Sequence, residues 1–97
     1  MANVDDVLKK IRENLPVMQQ RYKVSRLDVF GSLVRGEQTG ESDIDILVEF
    51  SETVDLFMFM ELEEFLSEKL DATVDLVMRD TLKPRIKEAI IHEAIPV

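Results

Sequence analysis

Asp43 and Asp45 stand one residue apart at the head of an apolar run, and a Gly31-Ser32 pair closes another apolar run upstream. From Ser42 to Phe50 the apolar Ile44, Ile46, Val48 and Phe50 alternate with Asp45, Leu47 and Glu49, which is the period of a strand. At a rise of about 3.3 Å per residue, such a strand sets Asp43 and Asp45 on one face roughly 6.6 Å apart. Carboxylates that close repel each other unless a cation lies between them. Oxygen-only ligands suit a hard divalent ion, above all magnesium, which completes its shell with water and phosphate.

The upstream half points to phosphate. Leu27 and Val29 share one face of a second strand, and Gly31 ends it. A glycine lets an anion approach the backbone because no Cβ stands in the way. Ser32 adds a hydroxyl and an N–H, and a short helix starting there would present unpaired N–H groups to an anion. Arg35, about one turn on, brings a fork of donors within reach of the same phosphate. A third acid follows in Thr73–Met78, where Val74, Leu76 and Met78 alternate with Thr73, Asp75 and Val77. If that strand lies about 4.8 Å from the Asp43/Asp45 strand, Asp75 shares their face. Three acids around two metals would serve in-line displacement at phosphorus, with Asp75 as general base for an attacking hydroxyl.

Each residue also has a plainer role open to it. Asp43 can simply turn the chain after Gly40-Glu41-Ser42, Asp75 can be an exposed strand residue, and Arg35 a solvated surface charge. Gly-Ser alone, or Asp-x-Asp alone, is common. Their combination at strand edges, with a later strand acid, is not.

Taken together, Gly31-Ser32, ten intervening residues, Asp43-Ile44-Asp45, the flanking Arg35-Gly36 and Ser42, and the later Asp75 resemble the minimal nucleotidyltransferases of the DNA polymerase β-like superfamily. The likeness spans nearly the whole chain. It implies an α/β fold: a small mixed sheet of about three strands flanked by helices, forming one domain over residues 1–97. It also implies a partner. Stand-alone domains of this kind are often antitoxins of HEPN-domain ribonuclease toxins, and some transfer AMP from ATP to a toxin tyrosine. The resemblance therefore implies catalytic and metal-binding roles for Asp43, Asp45 and Asp75 with Mg2+, and nucleotide-binding roles for Gly31, Ser32 and Arg35. Two other functions stay open: nucleotidyl transfer to a small molecule such as an aminoglycoside, and a binding-only antitoxin that keeps its acids unused.

Composition bounds the partners. The 97 residues are 45% hydrophobic and 33% charged, ordinary for a soluble globular domain. No apolar stretch approaches a membrane span, the first residues lack a signal-peptide pattern, and there is no cysteine, so a cytoplasmic location is expected. Twelve Lys plus Arg against 20 Asp plus Glu leave a net charge of −8. That balance disfavours a long nucleic acid, whose binding needs many cationic contacts, while metals can offset the repulsion of a mononucleotide. It also suits docking on a basic partner.

The flanking elements must position these groups. A first helix is expected from an Asn3 cap, burying Val4, Val7, Leu8, Ile11 and Leu15, with Pro16 kinking or ending it. The polar segment Glu37–Glu41 reads as a connector that borders the phosphate cradle. A third helix from Asp55 to Leu70 begins apolar all round, so some of Phe57, Met58 and Met60 should be left uncovered as an interaction surface unless neighbouring elements enclose them. A last helix from Thr81 to Ala94 should turn Leu82, Ile86, Ala89 and Ile90 towards the core, with Pro84 in its first turn. Lys83, Arg85 and Lys87 near its start could reach a triphosphate or an acidic partner, or form a solvated face. His92 is expected at the surface and Tyr22 in the packing. Larger members of the superfamily hold their acceptor with an extra helical domain. Here half of the cleft is expected from a homodimer or from a partner protein that carries the acceptor itself.

Overall fold

A computed structural model describes residues 3–36 and 43–97; Ser42 and the segment Glu37–Glu41, expected to border the cradle, lie outside the described residues. The chain runs α1 (Val4–Arg21), β1 (Val24–Phe30), α2 (Ser32–Arg35), β2 (Ile44–Phe50), α3 (Leu56–Leu70), β3 (Val74–Met78), a single 3-10 turn (Arg79–Thr81), α4 (Pro84–Glu93) and β4 (Ile95–Pro96). The strands form one mixed sheet in the order β3-β2-β1-β4, with β2 and β3 parallel and the other neighbours antiparallel. Three strands were expected and four are present. The two-residue β4 carries no alternating pattern, and pairing with Asp28 and Val29 defines it.

Helix α1 starts as its cap dictates, Asn3 Oδ1 accepting the Asp6 N–H at 2.9 Å. Pro16 does not end it: the helix continues to Arg21. The carbonyl that Pro16 leaves unpaired is that of Arg12, and both residues lie on the exposed face where water can satisfy it. Met18, fully buried beyond the proline, anchors the final turn. Val7, Leu8 and Ile11 are buried as expected, whereas Val4 and Leu15 are half-buried at the edge of the core.

Helices α1 and α3 pack on each other and on the sheet, where Leu27, Val29, Ile44, Ile46, Val48, Val74 and Leu76 join Leu62, Leu66 and Leu70 of α3. A bulge between Val24 and Arg26 shifts the alternation of β1, so that Val24 and Leu27 are both buried. Tyr22 is buried too, its ring 5.5 Å from that of Phe65.

Helix α3 is capped by Asp55, which accepts the Met58 N–H at 2.8 Å. It stops at Asp71 in the left-handed conformation, with the Ala72 N–H returning to the Ser67 carbonyl. Of its apolar first turns, Leu56, Phe57 and Met60 are exposed, while Met58 packs against the core. The expected core face of α4 is not formed. No residue of α4 is buried, Ile86 is half exposed and Ala89 exposed, while Leu82 before the helix and Ile90 within it are half-buried. The helix packs near β1 at the sheet margin instead of lying flat on a sheet face.

Candidate active site

Two strands bring the acids together. In the parallel β2/β3 ladder Asp45 and Asp75 are direct partners, so both side chains leave the same face at adjacent positions. Their strand neighbours Ile44, Ile46, Val74 and Leu76 point into the core on the other face. Asp43, two residues before Asp45, stands just outside β2 and is exposed, as is Asp75, while Asp45 is half-buried.

The register of β3 is held from outside the sheet. β3 is an edge strand, and its outward N–H groups are taken by α3: Val74 N–H donates to Ser67 Oγ at 3.1 Å and Leu76 N–H to Glu63 Oε2 at 3.0 Å. Asp75 sits between those two anchors.

The Gly31-Ser32 turn lies against the same carboxylate. Phe30 pairs with Asp45 across the antiparallel ladder, and Gly31 follows with φ 80° and ψ −152°, a conformation open essentially to glycine alone. A Cβ placed there would overlap Asp45, falling 2.9 Å from its Cγ. One turn of helix then runs from Ser32 to Arg35 and closes on Gly36, which is left-handed at φ 74°. Ser32 is half-buried and Arg35 exposed.

A residue without a motif of its own completes the cluster. Glu93, the last residue of α4, accepts the Gly31 N–H at 2.7 Å and an Arg35 guanidinium N–H at 2.8 Å through the same Oε1. Nothing local marks Glu93 in the sequence; it lies 62 residues from Gly31, and the pairing of β4 with β1 delivers it.

The electrostatics follow from this crowding. Burial, then the negative charges of Asp75 and Asp43, push the Asp45 carboxyl above its ordinary range; Arg35 pulls it down and Glu93 adds to the rise. Such mutual repulsion among oxygen donors is what a hard divalent cation relieves. Among the described residues no group of three or more acidic or histidine side chains is arranged so that it could hold a metal ion by itself. Carboxylate oxygens are the donor type that a hard divalent cation takes, and an ion held by so few of them would draw the rest of its shell from water and phosphate.

The remaining charged candidates of α4 are at the surface. Arg85 and His92 line a shallow depression with Glu88 and Ala89, and Lys83 is exposed. On the strands next to the site, Asp28 is buried and held by Arg26 at 3.1 Å and Arg79 at 3.8 Å, with Arg79 also 3.7 Å from Glu49.

A mixed sheet with paired acids on adjacent parallel strands and a glycine-serine turn packed on one of them defines the nucleotidyl-transfer class of fold. The nucleotidyltransferase domain pattern matches residues 8–97, and the chain belongs to that family of enzymes. It is 38% identical over 97 residues to the protein adenylyltransferase MntA of Thermococcus cleftensis, covering 100% of this chain and 98% of that protein. Among solved structures it superposes on one described as a minimal nucleotidyltransferase with a TM-score of 0.82 and 35% identity, covering 99% of this chain and 97% of that one. It also matches a chain of the complex between a tri-AMPylated HEPN toxin of Shewanella oneidensis and its MNT antitoxin, at TM-score 0.60 and 26% identity, covering 95% of this chain and 66% of that one. Among the described residues no helix is long and apolar enough to cross a membrane.

Proposed function

We propose that this chain is an antitoxin that transfers AMP from ATP to a tyrosine hydroxyl of a cognate HEPN ribonuclease toxin. The observation that carries this reading is the facing of Asp45 and Asp75 on neighbouring parallel strands with Gly31 packed directly against Asp45. The adenylyltransferase and toxin–antitoxin relatives support the same chemistry.

Asp43, Asp45 and Asp75 would hold magnesium. Held by these carboxylates, magnesium would supply charge neutralisation at the phosphates. Ser32 takes the β- and γ-phosphates with its hydroxyl and N–H, Gly31, its own N–H held by Glu93, gives them close backbone approach, and Arg35 offsets their charge. A carboxylate oxygen of Asp75, exposed on its strand, accepts the proton of the acceptor hydroxyl. The freed oxygen bonds to the α-phosphorus as the bond to the bridging oxygen breaks, and pyrophosphate leaves. No covalent enzyme intermediate is needed, because positioning and charge neutralisation lower the barrier.

The test is intact-mass analysis of the HEPN partner after incubation with this chain, ATP and magnesium. An added AMP on a partner tyrosine, absent with Asp45→Asn, is expected. Modification of an aminoglycoside in place of the protein would reassign the acceptor. Neutralisation of the partner by the Asp43→Asn/Asp45→Asn chain would reduce the function to binding.

A further inference from the structure

We propose that Glu93 is a positioning residue of the nucleotide site, holding the Gly31 peptide and the Arg35 guanidinium in the orientation that a triphosphate requires; this rests on the nucleotide-transfer reading above. One oxygen, Oε1, accepts both the Gly31 N–H at 2.7 Å and the Arg35 N–H at 2.8 Å. The Glu93 side chain is only 27% exposed, so this contact is sheltered rather than a loose surface pair.

The placement is built into the sheet. Asp28 opposes Pro96 and Val29 opposes Ile95, and the same antiparallel register, continued past the strand ends, sets Gly31 opposite Glu93. The last described residue adds to the lock: the Val97 N–H donates to the Leu27 carbonyl at 3.0 Å.

The consequence reaches the acids through contact. Gly31 has Asp45 immediately behind it, with no room for a side chain between. A peptide pinned by Glu93 therefore fixes the distance between the turn and the Asp45 carboxylate. A guanidinium has five N–H donors in a rigid fork, so anchoring one of them sets the direction of the plane. Glu93 touches neither phosphate nor acceptor in this scheme and acts through Gly31 and Arg35.

Glu93→Ala and Glu93→Gln in the full chain test this, with ATP binding measured by calorimetry in magnesium buffer and KM and kcat by AMP transfer. Alanine should weaken ATP binding roughly tenfold, the scale seen when a group orienting direct ligands is removed. Glutamine keeps an oxygen for Gly31 and should recover part of that loss. In an Arg35→Ala background, Glu93→Ala should cost less than it does alone, since only the Gly31 contact is then left to lose. Melting temperatures near wild type separate positioning from folding, and the glutamine variant decides alone if alanine does not fold. ATP affinity that stays unchanged or rises in both variants overturns the proposal, since the carboxylate would then be idle or a competitor for phosphate. Additive effects with Arg35→Ala overturn it equally. A wild-type chain that binds ATP yet labels no partner removes only the transfer reading, whereas one that binds no ATP removes both.

Discussion

Gly31 and Asp45 are packed backbone to carboxylate, so closely that a single methyl group on Gly31 would overlap the acid and fall 2.9 Å from its Cγ. The two halves of the sequence motif are thus one contact. Gly31→Ala meets two obstacles, the overlap and a φ of 80° with ψ −152°. The backbone strain alone is of order 1–3 kcal/mol. We expect a lower melting temperature by circular dichroism and loss of AMP transfer to background, since any relief must move Asp45.

Asp45 makes the unliganded protein pH-sensitive with a definite sign. Its carboxyl is raised in the folded state by burial and by Asp75 and Asp43, so between the unfolded value of about 3.9 and the raised folded value the native state holds the extra proton. Stability contributed by this group is therefore greatest below that window, falls as pH rises through it, and is level above. Asp45→Asn should flatten this decline in urea melts taken across the acid range. Magnesium should raise the wild-type melting temperature increasingly as pH climbs, and chelation should reverse the gain. The asparagine variant should show no magnesium response.

Ser67 and Glu63 hold the outer edge of β3 on either side of Asp75. Glu63→Ala strips the Leu76 N–H of its partner and should destabilise the fold by about 1–3 kcal/mol. The variant should also lower kcat, measured beside a urea melt, because β3 then loses the anchor that keeps Asp75 in register with Asp45.

Met18 is fully buried. Met18→Ala should cost about 2–5 kcal/mol by leaving a cavity beneath the end of α1. AMP transfer measured well below the melting temperature should stay near wild type, since α1 contributes nothing to the acid cluster.

Phe57 and Met60 are 76% and 56% exposed. Exchanging both for serine should leave the stability of the isolated chain within about 0.5 kcal/mol, as surface changes usually do. Loss of partner capture with stability unchanged, read by calorimetry against the HEPN protein, would mark this end of α3 as a docking surface. A drop in stability would place the two side chains in the fold instead.

The apolar alternation of Ile44–Phe50 and Val74–Met78, the Gly31-Ser32 break and the Asn3 cap carried most of the architecture in the sequence, because each is a local preference of backbone and side chain. Local signals also placed Asp45 and Asp75 on strands and the Gly31-Ser32 turn and Arg35 at a short helix, while Asp43, read as part of the strand, stands one residue before it. They could not show that Asp45 and Asp75 are ladder partners, since parallel register depends on packing between strands joined through a whole helix. The fourth strand was illegible for a related reason: Ile95 and Pro96 have no periodicity, and only β1 makes them a strand. Ile86 and Ala89 have helical spacing yet remain outside the core, because α4 meets the sheet at its margin and leaves that face uncovered. Glu93 is the clearest case. Short-range chemistry decides which residue types can bind a cation or a phosphate, but which distant carboxylate reaches the Gly31 N–H is decided by long-range strand pairing, and that exists only in the folded chain.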